Sequence, residues 1–261
     1  MMSYEKQLQK QALKGDIHSI MELVHNLFEQ EQNEQAIQWL TQGVQQGYAE
    51  AMYMLANCYY AEIGVEENIE KAFALYEQAA QKNHADAMNN LADMYLNGEA
   101  VEIDEVKARQ WFQRAAELGV VEAMFTLGMI HEQGIGIKVD EERALHYYEQ
   151  AANNGDLEAQ NRMATIYFEG LLNQKVNIAQ AIEWYKVASS QGHVDSQYSL
   201  GYIYNEGIHI VRNVKAAIYY YELAANAGDI DAAKQLVTIL KEQGNIQVAE
   251  DWQREIEQWF H

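Results

Sequence analysis

The sequence has a single cysteine, Cys58, among its 261 residues. One thiol cannot close an internal disulfide, and on the apolar face of a helix it reads as a small buried side chain rather than a redox centre. No apolar run approaches the ~18 residues a membrane-spanning helix needs, and the opening MMSYEKQLQKQALKG lacks the apolar centre of a secretory leader. A cytoplasmic protein without a membrane partner is the expectation. Positive charge is scarce too: 18 Lys and Arg stand against 39 Asp and Glu, a net charge of −21. That field repels phosphate backbones and anionic lipid and steers basic proteins or peptides inward, so nucleic acid is not an expected ligand. Catalytic signatures are also missing. His131-Glu132 begins like a zinc-protease helix, but Ile135 occupies the place of the required second histidine. There is no G-x-S-x-G, no phosphate-binding loop motif and no cysteine pair of metal-binding spacing. Neither an enzyme nor a cofactor or metal site is expected.

What is present is repetition. AAELGVVEAMFTLGMIHEQG, Ala115 to Gly134, returns as AAQKNHADAMNNLADMYLNG from Ala79, AANNGDLEAQNRMATIYFEG from Ala151 and ASSQGHVDSQYSLGYIYNEG from Ala188. An alanine followed three residues on by an aromatic or leucine falls at Ala36, Ala72, Ala108, Ala144, Ala181, Ala217 and Ala249, in steps of 36, 36, 36, 37, 36 and finally 32. With 49% hydrophobic and 22% charged residues and no low-complexity tract, the chain can bury apolar surface along its whole length, which argues against disorder.

Two further columns mark helix ends. Gly47, Asn83, Gly119, Gly155, Gly192 and Gly228 are the residue types that most easily turn left-handed and stop a helix. Asn68, Asp104, Asp140, Asn177 and Asn213 can accept hydrogen bonds from the free N–H groups of a first turn and so start one. Between them lie two helices per unit, with apolar residues spaced by three and four, as at Ala123, Leu127 and Ile130. Ala56, Ala92, Gly128, Ala164 and Gly201 keep one position small, which fits close approach by an aromatic of the partner helix. The fold class expected is all-α: an opening helix to about Lys14, then seven helix pairs from near Asp16 to near Trp259. No pair can bury its apolar face alone, so stacking builds one domain over 1–261. It divides into an N-terminal cap helix and atypical repeat (1–46), five full repeats (47–228) and a C-terminal capping repeat (229–261). The terminal Trp259, Phe260 and His261 are candidates for docking on this chain or another.

The unit VEAMFTLGMIHEQGIGIKVDEERALHYYEQAANNG, Val121 to Gly155, resembles a Sel1-like repeat, the longer-looped relative of the tetratricopeptide repeat. The family's G-x-G-V loop appears as Gly134-Ile135-Gly136-Ile137, is altered to Gly98-Glu99-Ala100-Val101, and is lengthened around Gly170-Leu171-Leu172-Asn173. The resemblance implies a right-handed α-solenoid of about seven helix-turn-helix repeats with a leading extra helix, whose first helices line a concave surface. It also implies a role as an adaptor or scaffold in protein complexes.

By the same resemblance, inward positions flank the references Leu55, Leu91, Leu127, Met163 and Leu200. Two residues before them stand Tyr53, Asn89, Phe125, Asn161 and Tyr198, and two after stand Asn57, Asp93, Met129, Thr165 and Tyr202. Five after, Tyr60, Glu132, Phe168 and Asn205 complete the candidate partner-binding set, with Leu96 in the same column. The set is rich in aromatics and amides and contains no Lys or Arg, which suits a partner offering apolar anchors, backbone groups and positive charge. One acid per repeat, Glu50, Asp86, Glu122, Glu158 and Asp195, lies where it complements the dipole of a first turn. His84 and His193 recur at a varied position one residue past the turn and read as helix-start surface residues. The expected function is non-catalytic binding of a basic protein or peptide, with an immunity protein that neutralises a basic toxic effector as the sharper form. The alternatives are a general scaffold, or a hydrolase with its site in the concave groove.

Overall fold

The computed structural model describes residues 4–259. The chain divides into two compact units, one up to Lys138 and one from Val139 onward. The first holds α1 (Tyr4–Ala12), α2 (Ile17–Glu29), α3 (Asn33–Gln45), α4 (Ala49–Tyr60), α5 (Ile69–Gln81), α6 (Ala85–Asn97), α7 (Glu105–Glu117) and α8 (Val121–Gln133). The second holds α9 (Glu141–Asn153), α10 (Leu157–Glu169), α11 (Ile178–Ser190), α12 (Val194–Glu206), α13 (Val214–Asn226), α14 (Ile230–Glu242) and α15 (Ile246–Gln258). Among the described residues there are fifteen helices and no strand: a leading helix and then seven pairs in chain order. Within each unit every helix packs on the next in sequence.

The helix ends form where the side-chain chemistry directs them. Asn68, Asp104, Asp140, Asn177 and Asn213 each cap the second helix of a pair by accepting from the backbone N–H three residues on, at 2.8, 2.9, 3.0, 3.2 and 3.1 Å. The turn column lies in the left-handed region throughout, with Asn83 at φ 64° the one member that is not glycine. α3 and α15, the second helices of the first and last pairs, have no side-chain cap. Of the three terminal residues considered for docking, Trp259 caps α15 and is exposed, while Phe260 and His261 lie outside the described residues.

The core is a column of small residues and rings. All seven ruler alanines, Ala36 to Ala249, are fully buried. Phe112, Tyr148 and Tyr221 are the largest fully buried side chains. A Cβ added at Gly201 would meet the Tyr221 ring at 2.6 Å, so the small-residue position in α12 is the hole that receives this knob of α13. Among the described residues no helix is long and apolar enough to cross a membrane.

Candidate functional site

The thirteen candidate residues lie on the first helices of successive pairs, α4, α6 and α8 in the first unit and α10 and α12 in the second. None is buried: Tyr60 and Tyr202 are exposed at 43% each, and the others are partly exposed.

In the first unit three of them, Asn57, Tyr60 and Asp93, line one pocket. Its volume is about 420 Å³, and its walls come from Asn57, Tyr60 and Ala61 at the end of α4, Tyr76 of α5, Asn90, Asp93, Met94 and Asn97 of α6, and Glu99 of the loop that follows. The Tyr76 hydroxyl donates to Asn57 Oδ1 at 2.6 Å. Burial pushes that hydroxyl up to about 12 against the pull of Asn90. The Tyr60 hydroxyl donates to Glu99 Oε2 at 3.0 Å and Asn97 Nδ2 donates to Glu99 Oε1 at 3.4 Å, so both carboxylate oxygens are oriented. Asn89 Nδ2 donates to Asp93 Oδ2 at 3.2 Å, while Asn89 Oδ1 is buried without a hydrogen-bond partner. Burial raises the Asp93 carboxyl to about 6, and repulsion from Glu99 adds to the rise. Beside the pocket, Tyr53 stacks on His84 with ring centroids 4.5 Å apart and tilts toward Tyr76 at 6.1 Å.

In the second unit the candidates are dispersed among structural roles. Asn161 Oδ1 accepts from the buried Ser196 hydroxyl at 2.9 Å. Phe168 packs against the core cluster of α10, α11 and α12, and Tyr198 meets Tyr221 edge to face at 5.6 Å. Asn205 is held by a cation: Arg212 donates from Nε to its backbone carbonyl at 2.7 Å and from Nη2 to its Oδ1 at 3.0 Å. The cation-free character of the set is therefore modified in space, because a residue seven positions downstream folds back onto it. Tyr202 alone projects well into solvent. Phe125, Met129 and Glu132 are partly exposed on α8.

The two histidines do more than occupy a helix start. His84 Nδ1 accepts from Ala87 N at 3.3 Å and His193 Nδ1 from Ser196 N at 3.2 Å, so each caps its helix as Asp156 and Asp229 do in their repeats. Their Nε2 atoms face Glu50 and Glu158 of the preceding first helix at 3.0 and 3.4 Å. Two of the five first-turn acids thus join neighbouring repeats as well as complementing a dipole. Among the described residues no cluster of His, Cys, Asp and Glu has the makings of a metal site, and burial raises the Cys58 thiol to about 11.

A register that repeats about every 36 residues, with capped helix pairs and small-to-aromatic packing, defines a helical-repeat protein of the α-solenoid class. The Sel1 repeat family matches residues 29–48, 49–84, 85–120, 121–156, 157–193 and 194–229, and the chain belongs to that family. It is similar in structure to a protective antigen present in uropathogenic Escherichia coli strains that displays an SLR fold, at 27% identity and a TM-score of 0.91. That match covers 99% of this chain and 57% of the other, so this chain spans little more than half the length of that relative. It is also similar to a Sel1 repeat protein from Oxalobacter formigenes, at 27% identity and a TM-score of 0.74, over 90% of this chain and 95% of that one. No curated protein matches the chain. The Sel1 repeat fold suggests protein–protein interaction, and proteins built from it are generally non-catalytic modules.

Proposed function

We propose that this protein binds a basic protein or peptide through the exposed faces of its first helices and performs no chemical step itself. The observation that carries the reading is the unit-1 pocket, where aromatic, amide and carboxylate groups converge and no described Lys or Arg pairs with either carboxylate. The net charge of −21 adds long-range attraction for such a partner. In its sharper form the protein works in the cytoplasm as an immunity protein, masking a basic toxic effector. The hydrolase alternative would draw on the same pair of carboxylates as acid and base, and no Ser, Cys or His lines the pocket for acyl-transfer chemistry.

Tyr60 and Tyr202 are the residues to remove, because Tyr53 and Tyr198 share their rings with structural neighbours. The double variant Tyr60→Ala with Tyr202→Ala is expected to keep its helical signal and melting behaviour while losing about tenfold or more in affinity for the partner. Unchanged affinity would remove these faces from the interface. Co-expression with that partner then separates the two forms of the reading: relief of its toxicity supports the immunity role, and a harmless partner supports the scaffold.

A further inference from the structure

The pocket in the first unit departs from its own repeat at two positions, and the two departures meet there. The position two residues after the reference leucine is Asn57, Met129, Thr165 or Tyr202 in the other full repeats, and Asp93 only here. The residue whose backbone N–H closes the first helix by bonding to the carbonyl five residues back is Ile63, Ile135, Leu171 or Ile208 elsewhere, and Glu99 only here. A half-buried carboxylate thus stands where other copies hold neutral groups, and a second replaces an aliphatic side chain. Both line one 420 Å³ pocket, and no described Lys or Arg pairs with either.

Such an arrangement costs stability. Two carboxylates brought together out of bulk water repel each other and lose hydration; the hydrogen bonds from Tyr60, Asn97 and Asn89 offset part of this, and no described cation offsets the rest. A ligand cation would. We infer that this pocket takes one arginine side chain of the partner, its guanidinium held between Asp93 and Glu99 and its plane against Tyr60. The assignment rests on the basic-partner reading above and names the group by which that partner is held.

Arginine suits the lining better than lysine for three reasons. The acceptors are spread along α6 and into the following loop, which a planar five-donor fork can reach and a compact ammonium cannot. Glu99 is already oriented through both oxygens by Tyr60 and Asn97, while Asp93 Oδ1 accepts no hydrogen bond from a described residue. The exposed Tyr60 ring provides a face on which a guanidinium stacks. The raised Asp93 carboxyl agrees with this geometry, since an arriving cation would favour its ionised form.

The test is a titration of the isotope-labelled full chain with N-acetyl-arginine-N-methylamide, followed through the side-chain amide signals of Asn57, Asn90 and Asn97. The neutral citrulline counterpart, similar in shape, serves as control. The arginine compound is expected to shift these signals with a dissociation constant of roughly 1–10 mM, and the citrulline compound to bind about tenfold more weakly or worse. Asp93→Asn with Glu99→Gln should abolish the difference while the chain stays folded, because both changes remove repulsion. Equal shifts by the two compounds, or an arginine preference that survives in the double variant, would overturn the assignment. If arginine shows no preference for the pocket but a basic partner is still captured through Tyr60 and Tyr202, the pocket inference fails and the proposed function stands. If arginine enters the pocket but no basic partner exists, the reverse holds.

Discussion

Two tyrosines in the same place on the repeat provide a controlled comparison. Tyr76 donates to Asn57 at 2.6 Å, whereas the fully buried Tyr221 hydroxyl has no hydrogen-bond partner. A buried donor left unpaired forfeits its hydration without return, and one that is paired recovers most of it. Tyr76→Phe is therefore expected to cost about 1 kcal/mol, because it also leaves Asn57 Oδ1 without its donor, while Tyr221→Phe should be neutral or stabilise by up to about 1 kcal/mol. Urea unfolding of the two variants checks the sign of each. Phe112 already fills the equivalent place one repeat later than Tyr76, so the fold accepts the ring without the hydroxyl. Asp93 gives a pH test. Its folded carboxyl is raised from 3.8 to about 6, so between those values the native state binds more protons than the unfolded chain, and stability falls as pH rises through that window. A shift of that size corresponds to about 3 kcal/mol at most, and partial exposure brings the expectation down to about 1–2 kcal/mol. Asp93→Asn should stabilise the protein by that amount at pH 7.5 and remove this group's share of the slope below it. Unfolding curves at several pH values measure both effects.

At the scale of the helix, stability depends on ends that recur. Each second helix from α5 to α13 begins with one side-chain acceptor, and Asn68→Ala or Asp104→Ala should each cost about 1 kcal/mol. The two sites cap different helices and share no partner, so the double variant should lose close to the sum, as thermal or urea unfolding would show. These caps were legible in the sequence because the chemistry is local: an Asn or Asp followed by an apolar period has one structural use, and the ruler repeats it. Helix count, pairing, left-handed stops and the small-to-aromatic packing were readable for the same reason. The pocket was only partly so. Asn57, Tyr60 and Asp93 fell on the chosen face, but Asn90 and Asn97 lie at other offsets from Leu91, and Glu99 belongs to a loop. Tyr76 had the sequence features of a core ring. Nor could spacing reveal that imidazoles at His84 and His193 would stand in for carboxylates as caps, or that Arg212 would fold back onto Asn205. The histidine caps are as local as the others but use a ring nitrogen in place of a carboxylate, and the Arg212 contact depends on a side chain reaching back from the following loop, which a period along one helix does not encode.

For the molecule as a whole, the excess of acid is the property most open to test. A charge of −21 on 261 residues accelerates encounter with cations of any kind, and its effect fades as salt shortens the screening length from about 10 Å at 0.1 M toward about 3 Å at 1 M. On the proposed function, specific contacts at Tyr60, Asp93 and Tyr202 supply what the field cannot, a preference for one partner among many basic proteins. Loss with salt alone would mark a merely acidic surface, and loss with the tyrosine changes alone a merely sticky one. The most direct measurement is affinity capture from a lysate of the native host at low and high salt, using the wild-type chain beside the Tyr60→Ala, Tyr202→Ala variant and quantifying bound proteins by mass spectrometry. The expected result is one dominant basic protein, retained by the wild type at low salt and lost both at high salt and with the variant. Capture of no basic protein, or equal capture by both chains at both salt concentrations, would contradict the proposal that these helix faces bind a basic partner.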